Sequence, residues 1–186
     1  MEVVPTPIEG LIELRGKKFH DNRGWFTEAF SLKQFQEKGL SLPAFVQDNI
    51  SYSHRGVVRG LHLQLSPFAQ AKLVSVVKGK VVDVAVDVRP ESATFGKWHS
   101  VILSEEKNNA LFVPEGFAHG FATLEDSYFF YKCSTFYQPS AEGGVRWNDA
   151  DLAIDWQIDH PIVSPKDETL PSFRELKGKL LTSHHA

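Results

Sequence analysis

The run KLVSVVKGKVVDVAVDV, residues 72–88, restricts the fold most, because β-branched residues fill two short segments separated by a glycine. We predict that the segments are strands joined by a hairpin at Gly79. Successive strand side chains point to opposite faces, so one face of the second segment holds Val82, Val84, Val86 and Val88, and the other holds Val81, Asp83, Ala85 and Asp87. We interpret the carboxylate face as solvated rather than as a functional carboxylate pair, and we leave both aspartates outside the candidate site.

Short strand patterns separated by turn residues continue throughout the chain from Val57 to Trp147. Further segments rich in residues that suit a pleated sheet are HSVILS, NALFVP, HGFATL and SYFFYKCSTFY. Closely spaced strands of this kind are typical of a sandwich or barrel and not of βαβ units. We therefore predict a mostly β fold.

Helices are predicted only at the periphery of this β region. The segment SLKQFQEKGL is amphipathic, with Ser31 as N-cap and Gly39 at its end. After Trp147 the chain becomes polar and rich in proline, which predicts one or two short helices. We expect a single domain over residues 1–186, divided into an N-terminal arm (1–45), a barrel core (about 46–147) and a helical segment (148–186) that ends in a frayed His184 and His185.

Charge and cysteine content exclude several classes of function. The formal net charge is −3 and no long run of Lys or Arg occurs, so a nucleic-acid partner is not expected. Cys133 is the only cysteine, which excludes a disulfide framework and a C-x-x-C zinc or redox motif. The N-terminal residues MEVVPTPIEGLIEL lack the basic start of a secretion signal, and no apolar run approaches the roughly 20 residues of a membrane span. We expect a cytoplasmic protein without a membrane partner.

Two motifs together point to a particular barrel. FVPEGFAHGF contains the spacing P-x-G-x-x-H, ending at His119, and resembles the second motif of the cupin superfamily, whose fold is a double-stranded β-helix, or jelly roll. His62 and Gly79 match the first cupin motif, but Gln64 replaces its second histidine. A catalytic transition metal usually takes three His or carboxylate ligands. We therefore predict that His62 and His119 titrate or form hydrogen bonds and that no metal or other cofactor is bound; the alternative for His62 is a satisfied core histidine.

A longer set of segments, from about Asp21 to Asp167, resembles the dTDP-4-dehydrorhamnose 3,5-epimerase family. The segments are DNRGWFTEAF, VQDNISYSHRGVVRGLHLQ, AKLVSVVKGKVVDVAVDVRPESATFGKW, FVPEGFAHGF, YKCSTFYQPSAEGGVRWND and SPKD. The resemblance implies epimerisation of dTDP-4-dehydro-6-deoxy-D-glucose at carbons 3 and 5, giving the precursor of dTDP-L-rhamnose. Both carbons flank a ketone, so the reaction needs a base, an acid on the opposite face and positive charge near the ketone oxygen.

The resemblance also implies a role for each candidate residue. His62 is the base and Asp167 its partner, Tyr131 is the acid, and Lys72 stabilises the enolate. The implied substrate-binding residues are Arg23, Glu28, Gln47, Asn49, Arg59, His119, Tyr137, Glu142 and Lys166. Within that set the two arginines contact phosphate and sugar, and Tyr137 stacks on thymine.

Two further expectations concern the N-terminal arm. Trp25 and Phe26 are weaker candidates for the thymine pocket than Tyr137. The family resemblance implies a homodimer that exchanges N-terminal strands, so Arg23 and Glu28 serve either their own site or that of the neighbouring subunit.

Three other functions remain open from the sequence. A single-carbon epimerase acting on a related dTDP-4-keto-6-deoxy sugar would use the same base. A metal-dependent cupin oxygenase or isomerase would use His62, His119 and a carboxylate. A non-catalytic cupin would bind a nucleotide sugar without turnover.

Overall fold

Strands dominate the computed structural model, which describes residues 1–183, so the predicted frayed His184 and His185 lie outside the described residues. The strands are β1 (Glu2–Pro5), β2 (Ile12–Arg15), β3 (Lys18–Asp21), β4 (Gly24–Thr27), β5 (Gln47–Ser53), β6 (Val57–Gln64), β7 (Lys72–Lys78), β8 (Lys80–Asp87), β9 (Trp98–Ser104), β10 (Asn109–Val113), β11 (Phe117–Thr123), β12 (Ser127–Cys133), β13 (Glu142–Gly144) and β14 (Ile162–Val163). The helices are α1 (Leu32–Glu37), α2 (Pro165–Glu168) and α3 (Phe173–Ser183), with one 3₁₀ turn at Pro139–Ala141.

Two six-stranded sheets form the barrel. One has the order β1-β2-β10-β7-β12-β5, and the other has the order β13-β6-β11-β8-β9 with β14 added beside β6. Apolar residues from both sheets, among them Val74, Ala85, Leu103, Leu111 and Phe129, meet in one buried cluster between them. Strands β3 and β4 form a separate hairpin. The predicted mostly β, cupin-type jelly roll with short peripheral helices is confirmed.

The predicted hairpin at Gly79 is wrong. Strand β7 pairs with β10 and β12 in one sheet, whereas β8 pairs with β9 and β11 in the other. At Gly79 the chain therefore crosses between sheets, with φ of +88° and no room for a Cβ, which would lie 2.3 Å from the carbonyl oxygen of Asp126. The glycine was correctly read as a break between strands, but pairing is decided by tertiary contacts that a local pattern does not contain.

The predicted solvated face of β8 is also wrong. Asp83 and Asp87 are both 0% exposed because their side of the strand faces the barrel interior. The valines on the opposite side are buried too, since residues of the C-terminal segment, including Leu152, Trp156 and Leu176, pack over them. Valine occurs on both faces of β8 because both faces are buried.

The peripheral helices begin and end largely as their capping residues predict. In α1 the Ser31 hydroxyl accepts a hydrogen bond from the Gln34 backbone, and Gly39 follows the helix with φ of +73°. In α2 the Ser164 hydroxyl accepts from the backbone N–H of Asp167, at 3.1 Å. The polar C-terminal region thus contains the predicted short helices, and its first one carries a candidate site residue. No helix within residues 1–183 is long and apolar enough to cross a membrane.

Candidate active site

An imidazole and a buried carboxylate from distant parts of the chain lie at the centre of the site. His62 on β6 places its Nε2 atom 2.6 Å from Oδ1 of Asp167 on α2. The second carboxylate oxygen accepts the backbone N–H of Gly60 at 3.2 Å. Burial alone would raise the pKa of Asp167, but the hydrogen bond and charge of His62 and the Gly60 N–H outweigh it and lower that pKa. An ionised Asp167 therefore holds the Nε2–H tautomer of His62, which leaves the other ring nitrogen free to accept a proton.

A cavity of about 300 Å³ opens beside this pair. Its lining residues are Gln47, Asn49, His62, Leu63, Gln64, Gln70, Lys72, Tyr131, Cys133, Tyr137 and Glu142. Strand register explains the grouping, because Tyr131 pairs with Asn49, and Cys133 pairs with Gln47 on one side and Lys72 on the other. Seven of the predicted site residues, among them His62, Lys72 and Tyr131, thus line one cavity.

Tyr131 and Lys72 bring a phenol and an amine to this cavity. Burial raises the pKa of Tyr131, with a smaller contribution from Cys133, so its phenol keeps its proton at neutral pH. Burial lowers the pKa of Lys72, while the nearby Cys133, Asp83 and Glu142 act in the opposite direction. The cavity therefore contains a proton donor and an amine whose pKa is lowered by burial and raised by the neighbouring Cys133, Asp83 and Glu142.

A second imidazole–carboxylate pair lies on the neighbouring strands. His119 on β11 is the direct cross-strand partner of His62, and its Nε2 lies 3.0 Å from each carboxylate oxygen of Asp83 on β8. Both residues are buried, so the pair is held inside the barrel rather than on its surface. Sequence reasoning missed Asp83, although the valine and alanine that flank it on the same face were a sign that this face is not solvated.

Ion pairs and hydrogen bonds order the rim of the cavity. Glu142 accepts the Tyr137 hydroxyl at 3.0 Å and the Lys166 ammonium at 2.6 Å. Chiefly through the Lys166 bond, the pKa of Glu142 is lowered. The amide of Gln47 donates to Asn49 at 3.0 Å and accepts the backbone N–H of Tyr137 at 3.2 Å. These predicted substrate-binding residues form one connected polar edge.

The N-terminal candidates do not line this cavity. Arg23 is 86% exposed at the tip of the β3–β4 hairpin, where it pairs with Asp21 at 2.6 Å. Glu28 bonds instead to Gln34. Trp25 and Phe26, the weaker candidates for the thymine pocket, are exposed and border a separate groove in the single chain.

Arg59 lies near this cavity without being among the residues that line it. Its guanidinium donates to the Ser53 hydroxyl at 2.9 Å and to the Tyr52 carbonyl at 3.2 Å. The positive charge of Arg59 acts to lower the pKa of Tyr131, but burial has the larger effect and the pKa is raised. Arg59 is thus a cation fixed next to the candidate acid.

The described residues do not form a recognisable metal site. Between positions 1 and 183, no group of three or more His, Cys, Asp and Glu side chains has the arrangement of a metal site. His62 and His119 instead each have the Nε2 atom bonded to a carboxylate.

Known proteins resemble this chain over most of its length. The sequence profile of dTDP-4-dehydrorhamnose 3,5-epimerase matches residues 5–175. The chain belongs to the dTDP-4-dehydrorhamnose 3,5-epimerase family. Among family members, the Escherichia coli K12 enzyme of that name is 48% identical over 179 residues, covering 95% of this chain and 96% of the relative. The family resemblance predicted from the sequence is confirmed.

A solved structure and a more distant relative add to this comparison. The Legionella pneumophila dTDP-6-deoxy-D-glucose-3,5-epimerase, in complex with dTDP-4-keto-L-rhamnose, superimposes with a TM-score of 0.91 at 43% identity and 96% coverage of both chains. The dTDP-4-dehydrorhamnose 3-epimerase of Streptomyces niveus is 38% identical over 169 residues, covering 90% of this chain and 82% of the relative. This chain is therefore also similar to an enzyme whose name gives epimerisation at carbon 3 alone.

Proposed function

We propose that this protein epimerises dTDP-4-dehydro-6-deoxy-D-glucose at carbons 3 and 5, giving dTDP-4-dehydro-L-rhamnose for dTDP-L-rhamnose synthesis. The observation that carries the proposal is the 2.6 Å contact between His62 and Asp167, on a cavity that also contains Tyr131 and Lys72. Family membership and the names of the relatives support the reaction and the nucleotide-sugar substrate.

In this mechanism His62 removes the proton from the carbon next to the ketone. The neutral imidazole accepts the proton on the nitrogen that does not face Asp167, and the carboxylate stabilises the imidazolium that forms. The electron pair of the broken C–H bond moves into the C–C bond, and the carbonyl oxygen becomes an enolate. When its amine is protonated, Lys72 stabilises the negative charge on that oxygen.

Tyr131 completes the inversion from the opposite face. Its phenol donates a proton to the enolate carbon, the ketone reforms, and the stereocentre is inverted. Burial keeps this phenol protonated by raising its pKa, and the enolate is basic enough to take the proton. Exchange with solvent then restores both groups before the second carbon reacts.

The nucleotide end of the substrate is assigned to the rim. Tyr137, half-exposed at the edge of the cavity, offers a ring for thymine, and Glu142, Lys166, Gln47 and Asn49 offer hydrogen bonds. Arg59 and His119 are proposed to meet phosphate and sugar, since a guanidinium can contact two phosphate oxygens.

Arg23 and Glu28 are proposed to act across a homodimer that exchanges N-terminal strands. Phe19, Trp25 and Phe26 are more than half exposed on the β3–β4 hairpin, so this arm presents an apolar surface that a second copy could cover. A partner would then bring the hairpin tip to the neighbouring cavity. We also propose that the chain is a single domain with an N-terminal arm, a barrel core and a C-terminal segment. A cytoplasmic location is proposed as well, since it suits the free thiol of Cys133.

Epimerisation in deuterium oxide tests the reaction directly. The protein is incubated with dTDP-4-dehydro-6-deoxy-D-glucose, and the positions of deuterium are read by NMR, with a 4-keto reductase added to trap the product. We expect label at carbons 3 and 5. Label at one carbon would instead establish the second candidate, a single-carbon epimerase, which the likeness to the Streptomyces niveus enzyme favours. Absence of label at both would overturn the proposal.

A further inference from the structure

Gln64 occupies the position of the second histidine in metal-binding cupins, and its side chain is bonded only to the backbone. Its Nε2 donates to the carbonyl oxygens of Phe68, at 2.9 Å, and Phe136, at 3.2 Å. Its Oε1 accepts the backbone N–H of Gln138 at 2.6 Å. Because an amide has two N–H donors, both are engaged. The side chain is also buried. Through its three hydrogen bonds Gln64 joins the loop that contains Phe68 to the loop that contains Phe136 and Gln138.

Two of these bonds fall on either side of Tyr137. The carbonyl before it and the N–H after it are both held by the same amide. Tyr137 lies outside the strands and helices, so no ladder of backbone hydrogen bonds fixes it. Tyr137 is 52% exposed at the cavity edge. Gln47 accepts its backbone N–H and Glu142 accepts its hydroxyl, while Gln64, from the barrel strand β6, holds the peptide groups on both sides of it.

We infer that Gln64 is a positioning residue for nucleotide binding, which clamps the peptide on both sides of Tyr137 and presents the ring as a flat surface for the base. The inference rests on the proposed function, in which Tyr137 meets thymine. A loop that is already ordered loses less conformational freedom when the ligand binds, so the clamp increases affinity. Since both of its donors are used on the backbone, Gln64 acts through Tyr137 and not by donating to the ligand.

The test compares Gln64→Met with a matched control. Methionine keeps a long unbranched side chain but removes all three hydrogen bonds. Gln138→Met is the control, because that side chain lies in the same loop and bonds only to Ser140. dTDP binding is measured by calorimetry, kcat and KM are measured with the keto sugar, and hydrogen exchange is followed in the loop over residues 134–141.

For Gln64→Met we expect the Kd for dTDP and the KM to rise about five- to tenfold, with kcat within about twofold of wild type. Loop amides, including that of Gln138, should exchange faster. Gln138→Met should change none of these values. In a Tyr137→Ala background, the effect of Gln64→Met on dTDP affinity should disappear, because two residues acting through one contact are not additive.

An additive effect in the Tyr137→Ala background, or an unchanged Kd for dTDP in Gln64→Met, would overturn the inference. A fall in kcat with KM unchanged would also contradict it, since that pattern indicates damage to the chemical step. If Gln64→Met does not fold, Gln64→Asn is measured instead; its neutral amide is one methylene too short to hold the groups on both sides of Tyr137, so Kd and KM should again rise, and an unchanged Kd would contradict the inference. The proposed function fails separately, through absent deuterium incorporation, while dTDP binding still decides the role of Gln64.

Discussion

His119 and Asp83 form a buried pair in which the imidazole Nε2 lies 3.0 Å from each carboxylate oxygen. The pair is next to His62 and Asp167, because His119 and His62 are direct cross-strand partners. His62 and His119 thus each have one ring nitrogen bonded to a carboxylate. Asp83 has a second effect, since its charge opposes the burial that lowers the pKa of Lys72.

Replacing Asp83 with Asn should therefore reduce turnover through Lys72 and His119. The groups whose charge acts on Lys72 are Asp83 on β8, Cys133 on β12 and Glu142 on β13. Loss of the Asp83 charge lowers the pKa of Lys72 further, so activity that needs the ammonium should fall off at a lower pH than in wild type. We expect kcat to drop about ten- to a hundredfold at neutral pH.

The measurement for Asp83→Asn is the pH profile of kcat, compared with that of Asp87→Asn. Asp87 lies four residues along the same strand, faces the same way and is equally buried, but bonds to Arg89, Ser92 and Thr94. Its variant should keep the wild-type profile at a temperature where it is folded. An alkaline limb at the same pH in both variants would show that Asp83 has no charge effect on the site.

His62→Ala should greatly slow epimerisation and lower stability modestly, because the buried Asp167 loses its imidazole partner. The imidazole is the proposed base, and removal of a general base costs about 10²–10⁴ in rate. Its side chain is 31% exposed, so no large cavity is created in the core. Deuterium uptake at carbons 3 and 5 is the rate to measure, with thermal unfolding as the control. Near-native uptake would show that another group removes the proton.

Tyr131→Phe should separate proton removal from inversion. The aromatic ring is retained, and with it the packing near Phe129, whose ring centroid lies 6.0 Å away. Since His62 and Asp167 are untouched, the substrate should still exchange its carbon-bound protons with solvent, while product formation falls about 10²–10⁴-fold. NMR in deuterium oxide reports both. Product formed at the wild-type rate would remove Tyr131 from the role of acid.

The sequence predicts the strands well because their signal is local. Segments rich in β-branched and aromatic residues anticipate β9 to β12, and Ser31 with Gly39 marks the limits of α1. The cavity follows only from the family resemblance, since His62 and Asp167 are 105 residues apart and no local pattern joins them.

The errors share one physical cause, which is that burial depends on contacts distant in sequence. The charge of Asp83 suggests solvent until the second sheet and the C-terminal segment cover both faces of β8. Gly79 between two strand patterns predicts a hairpin, but β7 and β8 belong to different sheets, which the local pattern does not show. The positions of Arg23 and Glu28 depend on a proposed partner that no single-chain pattern contains.

Acid stability should depend strongly on Asp87. Burial would raise its pKa, but hydrogen bonds from Arg89, Ser92 and Thr94 lower it to about 2 from the ordinary value of 3.8. A carboxyl whose pKa is lower in the folded state stabilises the fold at pH values above its unfolded pKa. This contribution, about 2 kcal/mol, is lost as the pH falls from about 4 to about 2.

Asp87→Asn should therefore lower the free energy of unfolding at pH 7, and the difference from wild type should shrink as the pH approaches 2. Urea unfolding followed by circular dichroism at several pH values measures this difference. Asp159→Asn is the control, because it removes the same charge from an exposed position and should change stability by no more than about 0.5 kcal/mol. A destabilisation by Asp87→Asn that stays constant from pH 7 to pH 2 would indicate lost packing, since only an ionised carboxylate gives a contribution that disappears on protonation.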